Sequence, residues 1–204
     1  MNKRKKYAPL CTPAIILVHG KSELQIAKHI CCNLRLNCYI HHRTTSIQVN
    51  GVVHELETNF PSARTLVKKD GIQLNINKDK ICGNFKIFAI MDTDDCDEKV
   101  KSDYISAKLF SSYALGDYVV PIYNSPNLEH VLFKSGLIPK IFNDSEKVKQ
   151  YATLFPVRST PVGDAQKKLD EMKQLSDILK KNRDTNFYLL LDYLVEEAEK
   201  RMIE

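Results

Sequence analysis

No apolar run in the 204-residue chain approaches the ~18 residues that a membrane-spanning helix needs, so no transmembrane segment is expected. The N-terminus, MNKRKKYAPL, is basic, but the apolar stretch that follows, AIILV, falls short of the ~7–15-residue core of a secretory signal. A cytoplasmic location is therefore expected. The chain also lacks internal repeats and low-complexity segments, which sets aside repeat architectures. Its six cysteines (11, 31, 32, 38, 82 and 96) form no framework of spacings and are expected to be reduced thiols. Cys31, Cys32, Cys38, His41 and His42 do not have zinc-ligand spacing, because adjacent helical residues point about 100° apart. Buried cysteines at a helix–strand junction are the better reading. Gly20-Lys21-Ser22 matches the end of a P-loop, but the upstream glycine and its four-residue loop are missing, so nucleotide hydrolysis of that type is rejected.

What is present is an ordinary globular balance, 43% apolar and 27% charged residues. A chain of this length buries roughly 70% of its unfolded surface and needs no disulfide or metal to hold a core. Its net charge is +5, with basic clusters at residues 3–6, 68–69 and 180–183. That excess suits a polyanionic partner but also describes a solvated surface.

Short apolar runs alternate with helical periods. Ala14–Val18 reads as a buried strand closed by Gly20, and Ser22 as the N-cap of a helix carrying Leu24, Ile26, Ala27, Ile30 and Leu34. A short strand is expected around Cys38–His41. Residues 46–56 read as a strand, or a hairpin around Asn50-Gly51; 59–69 as a short helix; 71–76 as a strand. Lys86–Met91 is a second buried strand, and residues 102–115 a helix stopped by Gly116. Asp117–Tyr123 is a third strand, whose Pro121 marks a sheet edge or bulge. Helices follow near 144–154, 164–181 and 186–203. This order implies a mainly parallel sheet flanked by helices: a basic segment over 1–13, an α/β domain over 14–140, and a helical part over 141–204 packed on the same domain. The last helix carries Tyr188, Leu191, Leu194, Val195, Ala198 and Met202 on one side, as core or as a partner surface.

In open α/β sheets, ligands bind beyond the carboxyl ends of the strands. Three polar groups fall there: His19-Gly20-Lys21-Ser22-Glu23, then Asp92-Thr93-Asp94, then Asn124-Ser125-Pro126-Asn127-Leu128-Glu129. Alternation along a strand lets Asp92 and Asp94 point together. Clustered carboxylates repel unless a cation neutralises them, and all-oxygen ligands suit Mg²⁺ or Mn²⁺. Aspartates after a strand are also turn formers and helix caps. Asp95, Asp97 and Glu98 are read in that way, as acids favouring the next helix dipole.

These residues resemble the TOPRIM domain, a Rossmann-like fold, over roughly residues 14 to 135. Gly20, Ser22 and Glu23 in "IILVHGKSELQIAKHI" are similar to its first motif, and Asp92 and Asp94 in "FAIMDTDD" to its Asp-x-Asp motif. "NSPNLEHVLF" resembles the Asn-Pro-x-x-Glu segment of the RloB-like and OLD-type defence nucleases. It maps onto Asn124, Pro126 and Glu129, with Ser125 inserted. The glycine that topoisomerases and primases carry after Asp-x-Asp is lacking, which favours the defence-nuclease branch. His19 stands where the family has a glutamate. The resemblance implies a divalent-metal-dependent nuclease acting on RNA or DNA, in anti-phage defence, beside an ATPase partner or as a homo-oligomer. It places Asp92, Asp94, Glu23 and Glu129 at Mg²⁺ or Mn²⁺, and makes Glu23, His19 and Lys21 the catalytic candidates. Similar nucleases bring a lysine from a late segment to the scissile phosphate, so Arg158, Lys167 and Lys168, with Lys21, are the nucleic-acid candidates. A module that has lost activity and binds nucleic acid or a protein, or a signalling domain whose acids hold Mg²⁺ without hydrolysis, remain as alternatives.

Overall fold

The computed structural model describes residues 11–203 except residue 79 and residues 158–163. At its centre, β1 (Ala14–Val18) is fully buried along its whole length. The chain continues through α1 (Lys21–Asn33) into β2 (Tyr39–His41), which pairs parallel with β1. A single 3-10 turn at Val49–Gly51 leads into α2 (Val52–Asn59), followed by α3 (Ala63–Leu66). The small antiparallel pair β3 (Ile76–Asn77) and β4 (Lys80–Ile81) precedes β5 (Lys86–Asp92). Next come α4 (Glu98–Ile105), β6 (Val119–Asn124), α5 (Leu128–Lys134), α6 (Asp144–Leu154), α7 (Ala165–Lys180) and α8 (Tyr188–Ile203).

The main sheet has the order β2-β1-β5-β6 with every pairing parallel. The chain moves from β1 to one side, then returns to the other. The reversal opens a crevice at the carboxyl ends of β1 and β5, where such sheets bind ligands. Alternation splits the core in two. Ala14, Ile16, Val18, Phe88, Ile90 and Ile122 face α1 and α5–α8, so the C-terminal helices share one core with the sheet. Ile15, Leu17, Ile87, Ala89, Met91 and Val119 face α2, α3 and α4. Among the described residues no helix is long and apolar enough to cross a membrane.

Several expectations need correction. Residues 46–56 form no hairpin: Asn50-Gly51 lies in the 3-10 turn, and Val52 and Leu56, one helical turn apart, are buried on α2. Of the strand expected over 71–76, only Ile76 pairs. The helix expected over 102–115 instead starts earlier and ends at Ile105, with Ala107 at φ +62° beyond it. Gly116 is no helix stop; a Cβ there would stand 2.2 Å from the Phe110 carbonyl oxygen, so only glycine fits. Pro121 does lie on an edge strand. Asn186 covers that edge, accepting from the Tyr123 amide (2.8 Å) and donating to the Pro121 carbonyl (2.9 Å). The buried side of α8 is core: Leu191, Leu194, Val195 and Ala198 are buried, while Met202 is 48% exposed.

Candidate functional site

Each inward carboxylate is carried by an element built for other reasons. On α1 the buried positions are Ser22, Glu23, Ile26, Ala27, Ile30 and Cys31, one stripe at helical spacing. Glu23 heads that stripe, so the packing that buries Ile26 and Ile30 buries it too (2% exposed). Asp92 closes β5 on the same alternation as Phe88 and Ile90, so it faces the side of α1 and α5. Glu129, in the first turn of α5, is 6% exposed. These three carboxylates lie close enough for their charges to act on one another.

Their immediate partners are specific. Asp92 Oδ1 accepts from the Leu128 amide (3.0 Å) and from Asn124 Nδ2 (3.3 Å). Asn124 is fully buried, and the Thr185 hydroxyl donates to its Oδ1 at 2.9 Å. The turn between α7 and α8 thereby holds the end of β6. Ser22 is not the cap of α1; Gly20 occupies that position, and the Ser22 hydroxyl donates to Glu129 Oε1 at 3.0 Å. Lys147 from α6 places its ammonium 2.5 Å from the same oxygen.

The electrostatics follow from burial. Burial, together with the charges of Glu23 and Glu129, pushes the Asp92 carboxyl up to about 9, against its hydrogen bonds to Asn124 and Leu128. Burial also raises the Glu23 carboxyl, opposed by a backbone hydrogen bond and by the field of His19. Burial works against the Lys147 ammonium, but contact with Glu129 and the fields of Glu23 and Asp92 outweigh it and hold lysine above its usual range. Tyr151, one turn beyond Lys147, is 1% exposed. Burial raises its phenol, and the charges of Glu129, Glu23 and Asp92 raise it further. Its hydroxyl is turned toward these carboxylates and Glu129 acts on it as a hydrogen-bond acceptor, though no bond of good geometry is formed among the described residues.

A cavity of about 340 Å³ opens here, lined among others by His19, Lys21, Glu23, Asp92, Lys147 and Tyr151. His19 Nδ1 lies 2.8 Å from the Ile47 carbonyl oxygen. A carbonyl only accepts, so Nδ1 carries a proton, and the ring when neutral keeps its lone pair on Nε2.

The other residues singled out in the sequence lie elsewhere. Asp94 is exposed, and its Oδ2 accepts from Asn127 Nδ2 at 3.1 Å. The strand ends at Asp92, so the alternation that would return residue 94 to the same side stops there. Asp97 caps α4, accepting from the Val100 amide at 2.9 Å, which agrees with a helix-start charge. Asp95 differs: its Oδ1 is buried and unpartnered among the described residues, and burial raises its carboxyl against the field of His19. Lys167 and Lys168 do not line the cavity; Lys168 pairs with Glu171 on its own helix at 2.6 Å. Arg158 lies outside the described residues. The late lysine that reaches the carboxylates is Lys147, which no motif marks. The available signal was the Lys147–Tyr151 spacing of four on a helix with a narrow apolar face.

Among the described residues, no three His, Cys, Asp or Glu side chains are gathered as a metal ion would require. The donor chemistry nonetheless fits a hard divalent cation: three buried carboxylates, all oxygen donors, face one ammonium. The chain matches no family model, no curated protein and no solved structure.

Proposed function

We propose that the protein is a divalent-metal-dependent phosphodiester hydrolase of TOPRIM-like type, acting on RNA or DNA. The observation that carries this reading is that buried Glu23, Asp92 and Glu129 act on one another's charge at the crevice between β1 and β5, opposed by Lys147 and by the field of His19. Glu23, Asp92 and Glu129 would hold Mg²⁺ or Mn²⁺, which when bound supplies Lewis-acid stabilisation of charge on phosphoryl oxygens.

The remaining work belongs to the chain's own side chains. His19 Nε2 accepts a proton from the attacking water, the ring being held by Ile47. The Lys147 ammonium leaves Glu129 for the negative charge that develops on the phosphoryl group. Tyr151, kept protonated by burial and by neighbouring carboxylates, donates its hydroxyl hydrogen bond to a phosphate or leaving oxygen. The experiment is incubation with end-labelled RNA and DNA in Mg²⁺ or Mn²⁺, beside Asp92→Asn and Glu23→Gln. Metal-dependent cleavage by the wild type that both variants lose supports the hydrolase; cleavage that persists in both overturns it.

A second reading is a binding module without hydrolysis. It is favoured by the ungathered carboxylates and by His19 standing where the family resembled has a glutamate. No cleavage, with nucleic-acid binding intact in the wild type and both variants, would select it.

A further inference from the structure

The cavity has a second group of lining residues that the hydrolytic reading leaves unused. Arg43, Thr44, Thr45 and Ser46, between β2 and the 3-10 turn, place one guanidinium and three hydroxyls in four consecutive positions on it, beside Lys21. The segment is fixed at both ends. Upstream, Glu55 is 8% exposed; its Oε1 accepts from His41 Nε2 (2.7 Å) and Asn59 Nδ2 (2.9 Å), and its Oε2 from Arg43 Nη1 (3.3 Å). Downstream, the Ile47 amide donates to the His19 carbonyl (2.9 Å), and the His19 ring donates back. A Cβ on Gly20 would stand 3.3 Å from Glu23 Oε2 and 3.7 Å from Ser46 Oγ, so the hydroxyl segment and the carboxylates meet across this glycine.

The chemistry of this group is that of an anion receptor. The Arg43 side chain is 55% exposed, and one nitrogen takes Glu55, so its five-donor fork keeps further donors for a ligand. The hydroxyls donate without adding charge. The volume, about 340 Å³, lies at the small end of the ~300–1,000 Å³ range of ligand sites, enough for about one nucleotide. A paired helix, wider overall than its own ~12 Å major groove, does not enter such a space.

We propose that this cavity receives one nucleotide unit of a single-stranded nucleic acid, its phosphate held by Arg43, Lys21 and the Thr44–Ser46 hydroxyls. This rests on the hydrolase reading of the neighbouring carboxylates and names the form of its substrate. The test is fluorescence anisotropy in EDTA with a labelled single-stranded oligonucleotide and the same sequence as a hairpin-capped duplex. The wild type and the Asp92→Asn variant are both expected to prefer the single strand by roughly tenfold or more. Arg43→Ala is expected to weaken single-strand binding by about tenfold, and Arg43→Lys by less, because a lysine keeps the charge but not the fork. The double variant Thr44→Ala, Ser46→Ala carries the same expectation on exposed side chains, should Arg43→Ala not fold. Equal affinity for duplex and single strand, or wild-type affinity in the folded Arg43 and Thr44/Ser46 variants, overturns the proposal. Because binding is read without divalent metal, its failure is distinct from loss of cleavage. Cleavage with no Arg43 dependence removes this receptor and leaves the hydrolase. Arg43-dependent binding without cleavage does the reverse.

Discussion

Lys147 Nζ sits 2.5 Å from Glu129 Oε1, and the Ser22 hydroxyl donates to that same oxygen at 3.0 Å. A single carboxylate oxygen thus joins α1, α5 and α6 at the mouth of the sheet. The Lys147 ammonium also feels the fields of Glu23 and Asp92. Replacing it with an uncharged residue leaves buried carboxylates facing one another. Lys147→Met is expected to lower stability by about 2–3 kcal/mol at pH 8 in EDTA, measured by urea denaturation. Millimolar Mn²⁺ or Mg²⁺ should recover part of that loss, and no recovery would argue against a cation replacing the ammonium.

Asp92 carries the opposite expectation. Its carboxyl stands near 9 in the fold against an ordinary 3.8. A raised value means the folded state holds the proton more tightly. The stabilisation is therefore complete below about pH 4 and is lost as pH rises through about 9. Asp92→Asn removes this dependence while Asn can still accept from the Leu128 amide. In EDTA at pH 8.5 the variant is expected to be more stable by about 2 kcal/mol, roughly 4–8 °C in melting temperature, and to be inactive. The stability difference from wild type should shrink towards pH 4; a constant difference across that range would contradict the assignment.

Gly20 tests the geometry of Glu23, its nearest neighbour. Its backbone, at φ −153°, accepts any residue, but an alanine Cβ would lie 3.3 Å from Glu23 Oε2. Gly20→Ala should therefore fold normally and bind Mn²⁺ several-fold to about tenfold more weakly, as read by titration calorimetry. Unchanged affinity would mean that Glu23 is no ligand.

Tyr104 separates stability from chemistry. Its buried hydroxyl donates to the Ala89 carbonyl at 2.6 Å and to the Ile122 carbonyl at 3.1 Å, tying α4 to β5 and β6. Tyr104→Phe keeps the ring and loses both bonds. It is expected to be destabilised by about 1–2 kcal/mol in denaturant melts, with any cleavage activity unchanged.

The legible part of the fold was the part governed by local pattern. The continuous apolar runs at 14–18 and 86–91 appear as the two central strands, since strands buried on both faces leave no room for polar alternation. The three late helices fall within two residues of their expected bounds, because Pro156, Pro161 and Gly163 punctuate strong helical periods. Residues 46–56 depart from the expected strand or hairpin because Asn50-Gly51 suits several turns, and burial of Val52 and Leu56 against the sheet selects a helix. Ser22 departs from the expected N-cap because a serine near a helix start has two uses, and Glu129, 107 residues away, supplies the partner.

The sequence by itself determined that Glu23, Asp92 and Glu129 stand at strand ends of a parallel sheet, since period and chain order place them there. Tertiary structure alone decided which acids face inward. Asp94 was lost to the crevice because β5 stops at Asp92, and Asp95 gained a buried oxygen from the turn that follows. The cation came from α6, and the Arg43–Ser46 segment was brought to the same cavity by Glu55 and His19. Such partners share no spacing, because contacts between elements depend on how helices lie on the sheet, a property of packing that no local pattern encodes.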